Sequence, residues 1–480
     1  MSKSIRRFSS HLVLATALVL AGCKTVGPDF TSPAGPTAPG YAMAGDAVMP
    51  GLLLTAEART AGAWWNAVGD DKVDAVVRLA LKNSPTVAEA EAVLRKAQAE
   101  IRAEQGAAGM QAQGTAGGQR ERINTQSFGF SFPSPTINLF EVGAKVTYDL
   151  EMFGGGRRAV EARQAQAEAE ARRADAAYLT LTGNVVLQAA RVARGNSRAE
   201  LVQAIIADDK RMIEMVRAAE RAGGEAPSAS TGGLAQLAQD EALLPPLLRD
   251  QAEARHQLAL LVGKSPAEWT APNFTAANFK GPASIPVALP SMLVRGRPDI
   301  LAAEADLHEK TALIGVARAA QYPDIRLSAG LTQGAIRPLD LFSYDSSGWN
   351  VGAALTGPLI KSRELKARRE AAVADAQASL ARYQGTVLRA FVQVSDVMSD
   401  LAHDTDQFAA VTRAQIAAEV SVSDYRKAYD LGASNLYSVV EAQRRLTLAR
   451  QKVLDAQSLQ FVDLVQLYLA TASDWRDAAG

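Results

Sequence analysis

The chain is poor in several things. Among 480 residues there are one cysteine, four histidines and five tryptophans, and aromatics make up 6%. A single cysteine excludes an intrachain disulfide. His11, His256, His308 and His403 leave little from which to build a metal centre. Neither sign of charge is in excess, with 51 basic and 51 acidic residues. No basic run with interleaved aromatics is present, so no nucleic-acid partner is expected. No apolar run approaches the roughly eighteen residues of a membrane-crossing helix. Proline is missing between Pro135 and Pro227, and again everywhere after Pro358.

Those proline-free stretches are helical in pattern. In Lys361–Leu431, apolar residues recur at Leu380, Tyr383, Val387, Phe391, Val394, Met398 and Leu401. Steps of three and four make a narrow stripe, closer to a coiled-coil seam than to a globular face. At 1.5 Å per residue the stretch makes a rod of about 105 Å. Phe153–Gly224 repeats it, with Tyr178, Leu181, Val185, Ala189 and Val192 on the stripe. Each rod ends at a glycine, Gly224 or Gly432, 208 positions apart. Upstream, Pro85-Thr-Val-Ala-Glu-Ala-Glu-Ala matches Pro298-Asp-Ile-Leu-Ala-Ala-Glu-Ala, 213 positions apart. The architecture is a half-protein used twice. The expected division is a leader over 1–22, an extended arm over 23–60, a first repeat over 61–288 and a second over 289–480.

The N-terminus reads as a targeting segment. Lys3, Arg6 and Arg7 precede a short apolar region from His11 to Leu20. Leu20-Ala21-Gly22-Cys23 then resembles a bacterial lipobox, and the only cysteine falls at the one position it requires. Cleavage before Cys23 would leave a thiol and an amine to carry covalent diacylglycerol and an N-acyl chain; no other cofactor is expected. Lys24, where an Asp would favour retention at the inner membrane, favours the outer one. The arm that follows holds Pro28, Pro33, Pro36, Pro39 and Pro50 and cannot be a regular helix. Trp64-Trp65 and a helix over Asp70–Leu81 open the packed body.

Two regions change to period two. Phe128, Phe130 and Phe132 alternate with small residues, and Val142, Ala144, Val146 and Tyr148 alternate with polar ones. In the second half Ile325, Leu327 and Ala329, then Trp349, Val351, Ala353 and Leu355, do the same. Four strands result, over about 110–150 and about 323–357. Such alternation marks either a membrane barrel or a soluble hairpin with one packed face. Four strands cannot close a barrel, and open edges cannot sit in lipid. A lipid-anchored chain with membrane strands must therefore pool them with other copies.

The whole set resembles one family. Leu20-Ala-Gly-Cys23 with Val26-Gly-Pro-Asp-Phe30, Trp64-Trp65 and Tyr148-Asp-Leu-Glu-Met-Phe-Gly154 carry the likeness in the first half. In the second half it rests on Leu289-Pro, Arg297-Pro-Asp-Ile-Leu-Ala-Ala-Glu304, Ile314-Gly-Val-Ala-Arg318, Tyr322-Pro323, Tyr429-Asp-Leu-Gly432 and Val439-Val-Glu-Ala-Gln-Arg444. The chain resembles the outer membrane factors of the TolC and OprM type, in the NodT-like lipoprotein branch. The resemblance implies a mainly α fold with a small β part. It implies a homotrimer in which each chain gives four strands to a shared twelve-stranded transmembrane barrel and helices to a long periplasmic one. Pro245-Pro246 suits a break in the first half, with a short helix over Leu247–Val262 and an irregular connector over Gly263–Ala288. Asp474-Trp-Arg-Asp477 would close the C-terminus.

By the same resemblance the functional end is the periplasmic tip, at the turn Leu431–Leu436. Tyr429 matches a tyrosine that helps hold the aperture shut, and Glu441 matches one acid of a constricting ring. Ser438 stands where some members have a second acid, and Ser434 where some have an arginine, so a strong ionic lock is not expected. A ring of carboxylates favours cations and resists anions. The first-half tip, Gly223–Gly233, cannot be aligned residue by residue from the sequence.

Other features are read structurally. Gly154-Gly155-Gly156-Arg157-Arg158 lacks the Lys-Ser/Thr of a P-loop and reads as a strand-to-helix turn. Glu304 and His308 read as a solvated helix pair, His403–Asp406 as a polar patch of the rod, and Met212, Ile213, Met215 and Val216 as a packed seam. No nucleophile–base pairing stands out, so no enzyme is expected. The expected function is the exit duct of a tripartite efflux system, passively conducting what an inner-membrane RND-type transporter delivers through a periplasmic adaptor. The alternatives are the outer-membrane part of a type I protein secretion system and a non-conducting envelope lipoprotein.

Overall fold

A computed structural model describes residues 25–35, 40–43, 45, 53–55, 63–124, 129, 133–224, 227–276, 279, 286–288, 290–358, 360 and 362–471. The lipobox residues Leu20, Ala21, Gly22 and Cys23, the alternating Phe128, Phe130 and Phe132, Leu289, and Asp474–Asp477 lie outside them. The elements in chain order are β1 (Leu53–Thr55), α1 (Asp71–Asn83), α2 (Pro85–Ala108), β2 (Gln111–Arg122), β3 (Thr136–Leu150), α3 (Gly155–Arg221), α4 (Pro227–Glu241) and α5 (Leu244–Leu261). Then follow β4 (Pro286–Ala288), α6 (Pro290–Gly296), α7 (Pro298–Ala319), β5 (Asp324–Ala335), β6 (Ser347–Thr356), α8 (Ser362–Asp430) and α9 (Leu436–Thr471). The chain divides into two compact units, and α3 and α8 contribute residues to each.

The two rods are α3, of 67 residues, and α8, of 69. Both stop at a glycine in the left-handed region, where a side chain would be strained. These are Gly223 at φ +75° and Gly432 at φ +71°. The closing bonds are the same: Gly223 N donates to Glu220 O and Gly224 N to Ala219 O, as Gly432 N does to Tyr429 O and Ala433 N to Ala428 O. The turning glycine of the first half is thus Gly223, not Gly224, and the repeat spacing at the tips is 209. Helices α4 and α9 then start at Pro227 and Leu436, again 209 apart. This register aligns the first tip with the second, which the Gly/Ser-rich sequence alone did not allow.

The larger unit holds the core. Trp64, Trp65, Val73, Val77, Val185, Val186, Leu258, Phe274 and Phe461 are buried in one cluster. Buried indole N–H groups need acceptors. Trp64 Nε1 donates to Thr182 Oγ1 at 3.2 Å and Trp65 Nε1 to Asp74 Oδ1 at 2.9 Å. Asp70 caps α1 by accepting from Lys72 N at 2.7 Å. Pro245 and Pro246 sit in the first turn of α5, where their missing N–H groups cost nothing, and the break falls just before them. Parallel β1 and β4 pair Leu53 with Pro286, so short strands lie within the expected arm and connector. Arg297 of the Arg-Pro-Asp motif forks onto Asp299 at 3.0 and 2.7 Å and also donates to Gln393 Oε1 and Ala470 O. That motif ties the start of α7 to α8 and α9.

The other unit is built on an antiparallel sheet of order β2-β3-β5-β6. The register puts one set of side chains on one face: Ala112 and Ala116 of β2, Val142, Val146 and Tyr148 of β3, Leu327 and Leu331 of β5, and Trp349, Val351 and Leu355 of β6. The opposite face carries Gln113, Lys145, Thr147, Asp149, Arg326, Ser328 and Asn350. The apolar face is not covered: Trp349 is 79% and Leu355 71% exposed. Among the described residues, β2 and β6 have no strand on their outer edges. The strand before β3 is Gln111–Arg122, upstream of the expected alternation. Its facing residues are Ala and Gly, which carry little hydrophobic signal.

Residues 25–33 run along this unit. Val26 N donates to Phe153 O at 3.2 Å. Gly27, at φ +106°, lies so close to Gly315 that a Cβ would stand 2.5 Å from its Cα. Two motifs far apart in sequence therefore meet backbone to backbone. Arg158, buried, joins Asp29 at 2.6 Å and Glu161 at 2.7 Å. Gly154, at φ +71°, makes the strand-to-helix turn that frees Arg158 for this pair. His308 is not half of a solvated pair with Glu304. Its Nε2 meets Glu161 Oε1 at 3.0 Å, and its ring stacks on Phe30 at 4.4 Å.

Candidate functional site

The tip of the α8–α9 hairpin carries the four residues singled out for an aperture. Tyr429 ends α8 with its ring 42% exposed. Ser434 lies in the turn, its hydroxyl 3.5 Å from Asn435 O. Asn435 caps α9: its Oδ1 accepts from Ser438 N at 2.9 Å and from Ser438 Oγ at 2.7 Å. Ser438 is thus engaged in starting the helix. Glu441 follows one turn later, 3.8 Å from Arg445 and partly exposed. Within one chain these four groups do not bond to one another. Behind them α8 and α9 are held by Val422, Ala442 and Leu446, and by Arg450 Nη2 to Glu419 at 3.3 Å.

Reasoning from the sequence missed the polar cluster of the neighbouring hairpin. Asp209 of α3, Asp240 of α4 and Arg444 of α9 come together, all well buried or half-buried. Arg444 Nη2 donates to Asp240 Oδ1 at 3.3 Å, and Gln236 Nε2 to its Oδ2 at 3.0 Å. Asp209 Oδ2 is buried and meets no donor among the described residues. Burial and the Asp240 carboxyl push the Asp209 carboxyl up to about 6, against the pull of Arg444. Beside this cluster is a cavity of about 330 Å³ lined by Met212, Met215, Arg426, Gln443 and Arg444 among others. Only Ile213 of the expected seam is fully buried; Met215 is 46% exposed. No short motif marks the cluster, because its members stand on three helices and meet only when the hairpins pack.

Among the described residues no group of three His, Cys, Asp or Glu side chains is placed to hold a metal ion. Glu304 instead faces buried Tyr383, whose phenol is raised by burial and by that carboxylate.

Residues 76–264 and 289–473 match the family described as Outer membrane efflux protein, once for each repeat. The chain belongs to that family. The "Cation efflux system protein CusC" of Escherichia coli O6:H1 is 24% identical over 468 residues, covering 97% of this chain and 98% of the relative. The "Pyoverdine export outer membrane protein OpmQ" of Pseudomonas aeruginosa is 27% identical over 425 residues, 86% of this chain and 87% of the relative. The solved outer-membrane channel OprN superposes with a TM-score of 0.83 at 24% identity, covering 94% of this chain and 100% of that one. The fold is that of the TolC-like outer membrane channels, and the chain is an outer membrane component of an efflux system.

Proposed function

We propose that three copies of this chain form a gated exit duct, fed by an inner-membrane pump through a periplasmic adaptor. One observation carries the reading. The sheet has an apolar and a polar face, both open, and its edges β2 and β6 are unpaired among the described residues. Unpaired edge groups cost several kcal/mol each in lipid. Three sheets joined edge to edge satisfy every ladder, put Trp349, Val351 and Leu355 against lipid and leave Lys145, Asp149 and Arg326 facing water. An acylated Cys23 would sit three residues before Val26, which is fixed to the end of β3 through Phe153. The lipid would then enter beside the strands it accompanies.

The hairpin tips, with Tyr429 and Glu441, form the entrance. An adaptor that grips α8 and α9 would widen it by shifting that hairpin. Export energy comes from the pump, since the chain itself holds no nucleotide motif. The test is single-channel conductance of the purified protein in a planar lipid bilayer, together with its native mass. A three-chain particle that conducts supports the duct. A lone, non-conducting chain overturns it.

A further inference from the structure

The register of the two halves exposes a site that neither the aperture nor the membrane sheet uses. Gln460 of α9 donates to Thr405 of α8 at 3.2 Å. Gln251 of α5 makes the same bond to Asn196 of α3, both partners shifted by 209 positions. The hairpins are therefore in register here as they are at the tips. One position before Thr405 is Asp404, and three after Gln460 is Asp463. Their counterparts in the first half are Gly195 and Ala254. The fold fills this place with small residues in one hairpin and with two carboxyl groups in the other.

The carboxyl groups stand in a costly setting. Asp463 is 8% exposed, and its Oδ2 meets no donor among the described residues. The Asp404 carboxyl lies at hydrogen-bonding reach of Asp463, with Asp400 of α8 close enough to repel it. Among the described residues the charged groups acting on Asp463 are Asp404 and Asp400, both acidic. Two ionised carboxylates in contact, one of them buried, repel each other and leave an orphaned acceptor. One proton removes both penalties, because it completes the bond that Oδ2 lacks. The sites on α3 and α4 show the same signature, a buried Asp209 with an orphaned Oδ2 beside Asp240, but there Arg444 supplies a positive charge. Their counterparts, Ala418 and Ala449, are again small.

We propose that Asp404 and Asp463 form a proton-binding site that fastens α9 to α8, so that this stretch of the hairpin, and not the equivalent stretch at Gly195 and Ala254, loosens when the proton leaves. Geometry within the one hairpin carries this, and it holds whether or not the chain conducts. Burial first, then Asp404 and Asp400, raise the Asp463 carboxyl to about 7. An unfolded Asp loses its proton near 3.9. Between about pH 4 and about pH 7 the native chain alone keeps the proton, so stability falls as pH rises through that window and the fastening is gone above it.

Infrared difference titration of the full chain in lipid tests the site. The wild type should show a protonated-carboxyl band that vanishes with a midpoint near pH 7. That band should be missing from Asp463→Asn, while the Asp209 band at lower pH stays. An identical near-neutral band in Asp463→Asn overturns the proposal, as does a wild type without one. Spin labels at His403→Cys and Leu459→Cys read the fastening. Their separation should widen above pH 7 in the wild type and stay fixed in Asp463→Asn. A separation that ignores pH in both overturns it. Asp404→Asn gives the same two readouts should the first variant fail to fold.

Discussion

Arg158 and Asp29 form an ion pair at 2.6 Å whose two sides differ sharply: the arginine side chain is 5% exposed and the aspartate 90%. The buried partner is the one that matters. Asp29→Ala removes an exposed charge and is expected to cost about 1 kcal/mol or less. Arg158→Ala leaves Glu161 with His308 alone and opens a void, and is expected to cost about 3 kcal/mol. Chemical unfolding of the detergent-solubilised protein, with limited proteolysis of residues 25–35, should rank the two in that order. Equal effects would mean that the arm is not held through Arg158.

The turning glycines give a second expectation. A Cβ at Gly223 or Gly432 meets nothing within 4 Å, so Ala is opposed only by the positive φ. Each substitution is expected to cost about 1 kcal/mol. Amide exchange should quicken in the last turn of α3 or α8 and nowhere else. A spread of faster exchange into the Trp64–Trp65 core would contradict this local account.

At the aperture, Tyr429→Phe combined with Glu441→Ala should raise the conductance of the isolated protein. The substitutions remove a phenol and a carboxylate from the entrance we propose, and there they should also weaken cation preference. Unchanged conductance and unchanged ion selectivity would move the gate elsewhere.

The Asp209 cluster predicts a pH dependence with a definite sign. A carboxyl raised to about 6 binds a proton that the unfolded chain has lost above about 4, so this cluster's share of stability declines between those values as pH rises. Asp209→Asn should flatten that part of the profile. Arg444→Ala removes the compensating charge and should push the carboxyl higher, moving the slope toward neutrality. Unfolding free energies measured from about pH 4 to about pH 8 decide both.

Acyl labelling tests the N-terminal reading. Cys23→Ser should abolish incorporation of radiolabelled fatty acid in cells, and the band should shift as uncleaved precursor accumulates. Persistent labelling would place the lipid elsewhere.

How far the sequence spoke depended on the kind of signal. The rods α3 and α8 were legible within a few residues, because missing prolines and a three-four stripe act over dozens of positions. Strands β5 and β6 were legible because Ile, Leu, Trp and Val mark their apolar face. β2 was not, since Ala112, Gly114 and Ala116 are too small to advertise a face, and louder phenylalanines stood nearby. Arg158, His308 and Arg297 were visible only as single residues of their own segments; Asp29 for Arg158, Glu161 for His308, and Gln393 and Ala470 for Arg297 lie on other elements. The paired aspartates were invisible. Asp404 looked like one of several polar residues, and nothing local says that Asp463, 59 positions later, will face it.

Strands Gln111–Arg122 and Ser347–Thr356 have a consequence for biogenesis. If three copies pool their strands as proposed, a newly exported chain carries into water two hydrogen-bonding ladders that are open among the described residues, before it meets its mates. Every encounter is then a choice between correct mating and stray aggregation, and crowding favours the second. Overproduction should therefore lower recovered yield well before it alters the activity of the particles that do assemble.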